Sequence, residues 1–107
     1  MATAKKDMTA TDSTLEFAVS EEQYGSPFAF QYPTGGAGTL VVEATLDETT
    51  WEVCCYVKST DTTAALVATA AAAGLYIGDI PPCRKIRLRK SVGAAALTPW
   101  FALGAAY

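Results

Sequence analysis

Hydrophobic and polar positions alternate most clearly between residues 38 and 58, in two stretches separated by the polar segment Asp47-Glu48-Thr49-Thr50. One face of the first stretch carries Leu40, Val42, Ala44 and Leu46. One face of the second stretch carries Trp51, Val53, Cys55 and Val57. Because successive side chains of a strand point to opposite faces, this alternation predicts a half-buried antiparallel hairpin with a tight turn. It also predicts that Trp51 and Cys55 are core side chains.

Shorter alternating stretches on both sides of the hairpin predict further strands over residues 15–19, 27–32, 75–77, 85–90 and 95–103. Glycine, proline and aspartate separate them, as expected for turns. The alanine-rich residues 64–73 favour an extended or irregular segment, with a short helix as the alternative. Many short strands joined by turns indicate an all-β fold. We expect an antiparallel β-sandwich, Ig-like or jelly-roll-like, with about seven to eight strands.

The chain has 107 residues, which fits one domain. Residues 1–14 are rich in Ala, Thr, Lys and Asp and have no apolar period. They are predicted to form a flexible N-terminal arm, either a disordered tail or a segment that becomes ordered against a neighbouring subunit. Residues 15–107 are predicted to form a single β-sandwich domain.

Positive charge is concentrated in one predicted strand. The formal net charge is −3, yet five of the eight cations lie between Arg84 and Lys90 without an acid among them. The rest of the chain has three cations against eleven acids, a net charge of −8. This distribution is a poor fit to nucleic-acid binding, which needs a broad positive surface. Outward cations of this kind either prevent strand edges from pairing with other chains or contact an acidic protein surface, including acids of a neighbouring copy.

The residue types that support most catalysis and metal binding are scarce. Histidine is absent, which removes the commonest general base and metal ligand. Three cysteines do not form a disulfide framework, and we expect them to be reduced. Asp47 and Glu48 lie in a predicted turn, where acids are ordinarily solvated. We therefore expect no enzyme activity, catalytic residue, cofactor or metal ion. No apolar run is long enough to span a membrane, so we expect a soluble protein made in the cytoplasm.

Aromatic residues near the C-terminus offer the best candidate contacts. Trp100 has the opposite parity to Leu97, and small alanines surround it and Tyr107. Flat apolar surfaces of this kind favour contact with another protein subunit over stacking on a sugar. The candidate protein-interface residues are Lys85, Arg87, Arg89, Trp100 and Tyr107.

Three segments together resemble a known family. They are Gly-Thr-Leu-Val-Val-Glu-Ala-Thr-Leu-Asp at residues 38–47 with Thr49-Thr50-Trp51, the Gly-Leu-Tyr strand from Gly74, and Lys-Ile-Arg-Leu-Arg at residues 85–89. This order resembles small structural proteins of tailed bacteriophages, in which a "GTVTVEGSLDGTTW" segment precedes a Gly-Tyr strand and an Arg-x-Arg strand. The likeness spans about residues 38–103. Two features depart from it: Glu48 replaces the usual turn glycine, and residues 64–73 are poor in polar side chains.

The resemblance implies a non-enzymatic β-sandwich component of a virion. Capsid decoration or cement protein is the leading role, and a tail or head-fibre accessory module is the next. The implied partners are other virion proteins and further copies of the chain, with no nucleic acid and no membrane. The implied location is the virion, after synthesis in the host cytoplasm. A carbohydrate-binding module with exposed aromatic residues is the alternative from another class.

Overall fold

The chain folds into short β-strands that lie in two layers. The computed structural model describes residues 2–60, 66–93 and 97–104. The strands are β1 (Ala2–Lys5), β2 (Thr14–Ala18), β3 (Pro27–Tyr32), β4 (Thr39–Thr45), β5 (Glu52–Cys54), β6 (Val57–Lys58), β7 (Gly74–Asp79), β8 (Lys85–Val92) and β9 (Trp100–Leu103). A 3-10 turn at Glu21–Gln23 lies between β2 and β3, and the described residues contain no α-helix.

The strands form two antiparallel sheets. The five-stranded sheet has the order β1-β9-β3-β7-β6, and the four-stranded sheet has the order β2-β8-β4-β5. Every recorded strand pair is antiparallel. The predicted all-β antiparallel sandwich is therefore confirmed, with nine described strands instead of seven or eight. The additional strands come from the N-terminal segment and from the division of residues 51–58.

Aromatic rings fill the space between the sheets. Phe30 stacks on Tyr76 with ring centroids 5.0 Å apart, and Tyr56 meets Phe30 edge-on at the same distance. The hydroxyl of Tyr56 donates a 3.0 Å hydrogen bond to the carbonyl of Leu40, so its buried oxygen has a partner. The four-stranded sheet contributes aliphatic side chains that are fully buried, namely Leu40, Val42, Ile86 and Leu88.

The N-terminal segment, predicted to be a flexible arm over residues 1–14, contains a strand and a buried side chain within its described residues 2–14. Ala2–Lys5 is an edge strand that pairs with β9. Met8 is fully buried, and its backbone N–H and carbonyl both pair with Leu97, at 2.7 and 3.0 Å. A single buried methionine in a polar stretch has no apolar period, which is why alternation does not detect this segment.

The second half of the predicted hairpin divides between the two sheets. Glu52–Cys54 pairs with β4, as predicted, but Val57–Lys58 pairs with β7 in the other sheet. The chain crosses between the sheets at Cys55 and Tyr56. The side chains that face the core here are those of the opposite parity to the prediction. Tyr56 is fully buried, and Cys54 packs against the core. Cys55 is exposed and is not the core side chain that the alternation predicts.

Strand β4 is buried on both of its faces. Its inner face carries Leu40 and Val42, as predicted. Its outer face is also buried, at Val41, Glu43 and Thr45. Leu46 differs from the prediction, with 69% of its surface exposed, because the strand ends at Thr45 and the turn follows.

The described part of the alanine-rich segment, residues 66–73, is irregular and contains no helix. Its backbone forms two isolated bridges, between Val67 and Tyr56 and between Ala70 and Leu40. The predicted extended or irregular conformation is confirmed over these residues. Residues 64–65 of this segment, and residues 95–96 of the predicted last strand, lie outside the described part of the chain.

Candidate protein interface

Lys85, Arg87 and Arg89 lie on the outer face of the four-stranded sheet. The alternation along β8 predicts this placement, and Ile86 and Leu88 between them are fully buried. The register sets Arg87 beside Glu43 of β4 on one side and Glu16 of β2 on the other. These cations therefore face acids of their own chain across the sheet.

Glu43 is the acid on which two of these cations converge. Its Oε1 accepts hydrogen bonds from Nε of Arg87 at 2.9 Å and Nε of Arg89 at 2.8 Å, and its Oε2 accepts one from Nη2 of Arg89 at 3.2 Å. Burial alone would raise the pKa of Glu43, but the hydrogen bonds from Arg89 and Arg87 outweigh it and hold this pKa below its usual value. Glu43 is thus a carboxylate that stays ionised beneath two guanidinium groups.

Trp51 lies on this outer face and not in the core, where the alternation places it. It is partly exposed, and the guanidinium carbon of Arg87 lies 4.0 Å from its ring centroid. This distance is that of a cation–π contact. The contact gives the Trp51 ring a partner outside the core, on a guanidinium group that also binds Glu43.

The remaining cations of the row pair with the turn between β4 and β5. Glu48 accepts salt bridges from Lys85 at 3.1 Å and from Arg84 at 3.3 Å. Hydrogen bonding by Lys85 lowers the pKa of Glu48. Glu48 adopts φ +66°, a backbone conformation that favours glycine. It therefore occupies the turn position at which the resembling phage proteins usually have a glycine. Its neighbour Asp47 accepts hydrogen bonds from the backbone N–H groups of Thr50 at 2.7 Å and Thr49 at 2.9 Å, and these lower its pKa.

The outer face of the four-stranded sheet is therefore neutralised largely from within the chain. Arg89 also donates to Asp12 at 2.7 Å, which adds the loop before β2 to the same network. These cations are predicted to contact acids of a neighbouring copy. Some of those acids already bind the cations within the same chain. An intermolecular role for Lys85, Arg87 and Arg89 stays a prediction, and Lys85 is the most exposed of the three.

The outer face of the five-stranded sheet carries several exposed apolar side chains. Trp100 is 45% exposed there, as its parity in β9 predicts, and Leu75 and Ile77 of β7 are 45% and 39% exposed. Nζ of Lys5, the register partner of Trp100 on β1, lies 5.4 Å from the indole centroid. Exposed large apolar side chains that share one sheet face are typical of a protein interface. Tyr107, the other aromatic candidate, lies outside the described residues.

All three cysteines carry free thiols and line one pocket of 520 Å³ beside β5. Burial raises the pKa of Cys54 to about 11 and also raises the pKa of Cys83. Both thiols are therefore protonated at neutral pH, a state that neither attacks electrophiles nor binds metal. Among the described residues, no cluster of three or more His, Cys, Asp or Glu side chains could hold a metal ion.

Sequence reasoning did not identify Glu43 as a buried, paired carboxylate, or Leu75 and Ile77 as exposed apolar side chains. The signal for Glu43 was a lone acid within an apolar run, Leu-Val-Val-Glu-Ala, which points to a paired buried charge. The signal for Leu75 and Ile77 was their alternation with buried Tyr76, which puts both on the outer face. In the described part of the chain, no helix has the length and apolar character needed to cross a lipid bilayer.

Comparison with known proteins shows a shared fold. The crystal structure of the SPBc2 prophage-derived protein YomS has a TM-score of 0.68 with this chain at 13% identity, covering 98% of this chain and 96% of that one. A protein of Bacillus endospore appendages, described as forming disulfide-linked pili, covers 94% of this chain and 79% of its own at 17% identity. Its TM-score is 0.42, too low for a structural conclusion. No family model matches the chain, and comparison with curated proteins gave no significant match.

Proposed function

We propose that the chain is a non-enzymatic structural protein of a tailed-bacteriophage particle. Its specific role is that of a capsid decoration protein, which binds neighbouring virion subunits at the particle surface. Binding is the mechanism, and no chemical step is required.

The outer face of the five-stranded sheet carries this proposal. It presents Trp100, Leu75 and Ile77 together on rigid strands, with exposed fractions between 39% and 45%. Tryptophan is among the side chains that contribute most to protein–protein affinity, and apolar neighbours help to exclude water around it. The outer face of the four-stranded sheet is less suited to apolar contact, because ion pairs between its own side chains cover it.

Three further observations support the proposal. The resemblance over residues 38–103 is to phage structural proteins, and the fold is shared with a prophage-derived protein over almost the whole chain. The acids that might have served acid–base chemistry have structural roles instead. Asp47 accepts backbone N–H groups of its own turn, and Glu48 pairs with Lys85.

One observation favours a second candidate, a carbohydrate-binding module. The exposed ring of Trp100 is a surface on which a sugar could stack. However, Lys5 lies over this ring at 5.4 Å and covers part of the face that a sugar would use. We therefore place protein binding first.

The decisive experiment is cosedimentation of the purified chain with phage heads that lack it, and separately with isolated tails. We expect saturable binding to heads, weakened about tenfold or more by Trp100→Ala. The control is Leu46→Ala, which removes an exposed leucine from the turn that follows β4 of the other sheet and is expected to bind normally. Binding to tails alone would replace capsid decoration with a tail role. Binding to neither, together with Trp100-dependent binding to a glycan array, would establish the carbohydrate-binding alternative.

A further inference from the structure

The outer face of the five-stranded sheet is organised in rows. The first row crosses the sheet through Lys5, Trp100, Gln31 and Leu75. The next row crosses it through Ala102, Ala29, Ile77 and Val57. Successive rows lie about 7 Å apart, since each residue rises about 3.3 Å, and neighbouring strands are about 4.8 Å apart. Trp100 and Leu75 therefore lie on either side of Gln31 in the first row, and the small Ala102 and Ala29 lie beside them in the next row.

One corner of this face carries an exposed aromatic ring, and the diagonally opposite corner has a pocket. At one corner Trp100 projects from β9 with Lys5 beside it. At the other corner lies a pocket of 320 Å³ whose apolar lining includes Leu66, Val57 and Ile77. Leu66 is 69% exposed. A pocket of about this volume is large enough for a small-molecule-sized group such as an indole ring.

The same two corners are complementary in charge. Asp79 lines the apolar pocket, and its register partner across the sheet is Pro27. Lys5 and Asp79 are both exposed, and neither forms an ion pair with another described residue. The described face thus has a cation beside its projecting ring and an anion beside its pocket.

We propose that this face is a two-fold symmetric interface between two copies of the chain. Trp100 of each copy occupies the Leu66 pocket of the other, and Lys5 of each copy pairs with Asp79 of the other. A two-fold interface uses the same surface patch on both partners. The projection on each copy must therefore fit the pocket on the other copy. The inference goes beyond the proposed function, since it concerns the free protein in solution.

The register fixes where the symmetry axis runs. It lies in the plane of the interface, passes over Ala29 near the centre of the face and follows the diagonal that avoids the Trp100 and Asp79 corners. Leu75 stands at the end of that diagonal, so Leu75 of one copy lies next to Leu75 of the other. The small side chain of Ala29 at the centre allows the two sheets to approach, as the two layers of a sandwich do.

The size of the face predicts a reversible dimer. Five strands at about 4.8 Å and about six residues at 3.3 Å give roughly 24 by 20 Å, or about 500 Å² for each copy. The total of about 1,000 Å² is at the lower limit of specific interfaces, where complexes are weak and transient. Association should therefore depend on concentration, and its strength should depend on the Trp100 anchor.

Sedimentation velocity over a range of protein concentrations tests the face. We expect a monomer–dimer equilibrium whose dissociation constant rises about tenfold or more in Trp100→Ala and in Leu75→Asp. Leu46→Asp is the control, because Leu46 is an exposed leucine in the turn that follows β4 of the other sheet, and it should leave the equilibrium unchanged. Circular dichroism and thermal melting establish that each variant is folded. A wild-type chain that stays monomeric at every concentration, or a dimer that only Leu46→Asp weakens, would overturn the inference.

A charge exchange tests the pairing across the axis. Lys5→Asp and Asp79→Lys should each weaken the dimer by about twofold to thirtyfold, because the two-fold symmetry makes each change disrupt two exposed pairs. The double variant should return to within about twofold of the wild type, because the exchanged charges meet again. A double variant weaker than either single change would rule out this pairing.

Cross-linking tests the position of the axis. A short bismaleimide should join two copies of Leu75→Cys in a Cys55→Ser background, which removes the exposed native thiol. Leu46→Cys in the same background is the control and should not be cross-linked. Cross-linking of the control but not of Leu75→Cys would overturn the proposed axis. A chain that binds phage heads but never dimerises would overturn this inference and leave the proposed function standing.

Discussion

The guanidinium carbon of Arg87 lies 4.0 Å from the centroid of the Trp51 ring, while Nε of the same side chain donates a 2.9 Å hydrogen bond to Glu43. The planar group thus contacts an aromatic face and a carboxylate at once. Lysine has neither the planar surface nor the fixed donor fork needed for both contacts. The first prediction follows from this geometry.

Arg87→Lys should lower the free energy of unfolding by about 1 kcal/mol, since it loses the stacking contact and one directed hydrogen bond. It should also shift Trp51 fluorescence to longer wavelength, because the ring becomes more hydrated. Urea unfolding and emission spectra in a Trp100→Phe background measure both effects. An unchanged Trp51 spectrum would contradict the contact.

Glu43→Gln keeps the shape of the side chain but removes its charge. Arg87 and Arg89 would then face a neutral amide in a buried position, and we expect a loss of about 2 to 3 kcal/mol in unfolding free energy. Glu16→Gln is the control, because Glu16 flanks Arg87 on the other side but is exposed. It should change stability by no more than about 0.5 kcal/mol. Equal effects of the two changes would show that burial of Glu43 does not matter.

Stability should fall in acid because of the same group. The pKa of Glu43 is lower in the folded chain than its ordinary value of about 4.3, so folding favours the ionised form. Its contribution is complete above that ordinary value and is lost as the pH falls through the lower folded pKa. We expect the wild type to lose stability between about pH 5 and pH 3, and Glu43→Gln to lose less over that interval. Urea midpoints at several pH values measure the difference, and parallel curves would refute it.

Met8→Ala tests whether the N-terminal segment belongs to the fold. Met8 is fully buried, and truncation of such a side chain removes core contacts and leaves a cavity, at a cost of about 2 to 4 kcal/mol. Thr9→Ala, at an exposed neighbouring position, should change stability by about 0.5 kcal/mol or less. If Met8→Ala left the free energy of unfolding unchanged, the result would favour the flexible arm that the composition predicts.

Glu48 tests the backbone of the hairpin turn. Both Glu48→Gly and Glu48→Ala remove the salt bridges to Lys85 and Arg84, so these losses cancel when the two variants are compared. Only alanine retains a Cβ at φ +66°. We expect Glu48→Gly to be more stable than Glu48→Ala by about 1 kcal/mol in urea unfolding. The reverse order would mean that the turn relaxes to a negative φ.

Alternation predicted the strands whose two faces differ in polarity. Ile86 and Leu88 were placed inside correctly because they alternate with cations, and Trp100 was placed outside correctly because Leu97, Phe101 and Leu103 share the other parity. The prediction was wrong for Trp51, because its whole stretch is apolar on one parity and also carries a buried tyrosine on the other. Periodicity alone cannot decide which of two such faces is buried. In the structure, the crossing of the chain to the other sheet at Tyr56 determines which face is buried.

The candidate interface was predictable only in part. The position of Trp100 follows from local alternation, but its neighbours Lys5 and Leu75 come from strands distant in sequence. Pairing partners of that kind depend on sheet order, which no local pattern specifies. Lys90 shows the same limit: its parity puts it inside, and there its Nζ reaches the carbonyl of Met8 at 3.2 Å, a contact across 82 residues.

Only Cys55 and Tyr56 separate β5 from β6, although the two strands belong to opposite sheets. Two layers joined only by side-chain packing can shear past each other when a tangential force acts on them. Here a two-residue connection, held on one side by pairing of β5 with β4 and on the other by pairing of β6 with β7, resists that displacement. A load applied to the outer face of either sheet would therefore pass into the other through the main chain, and both layers would bear it together.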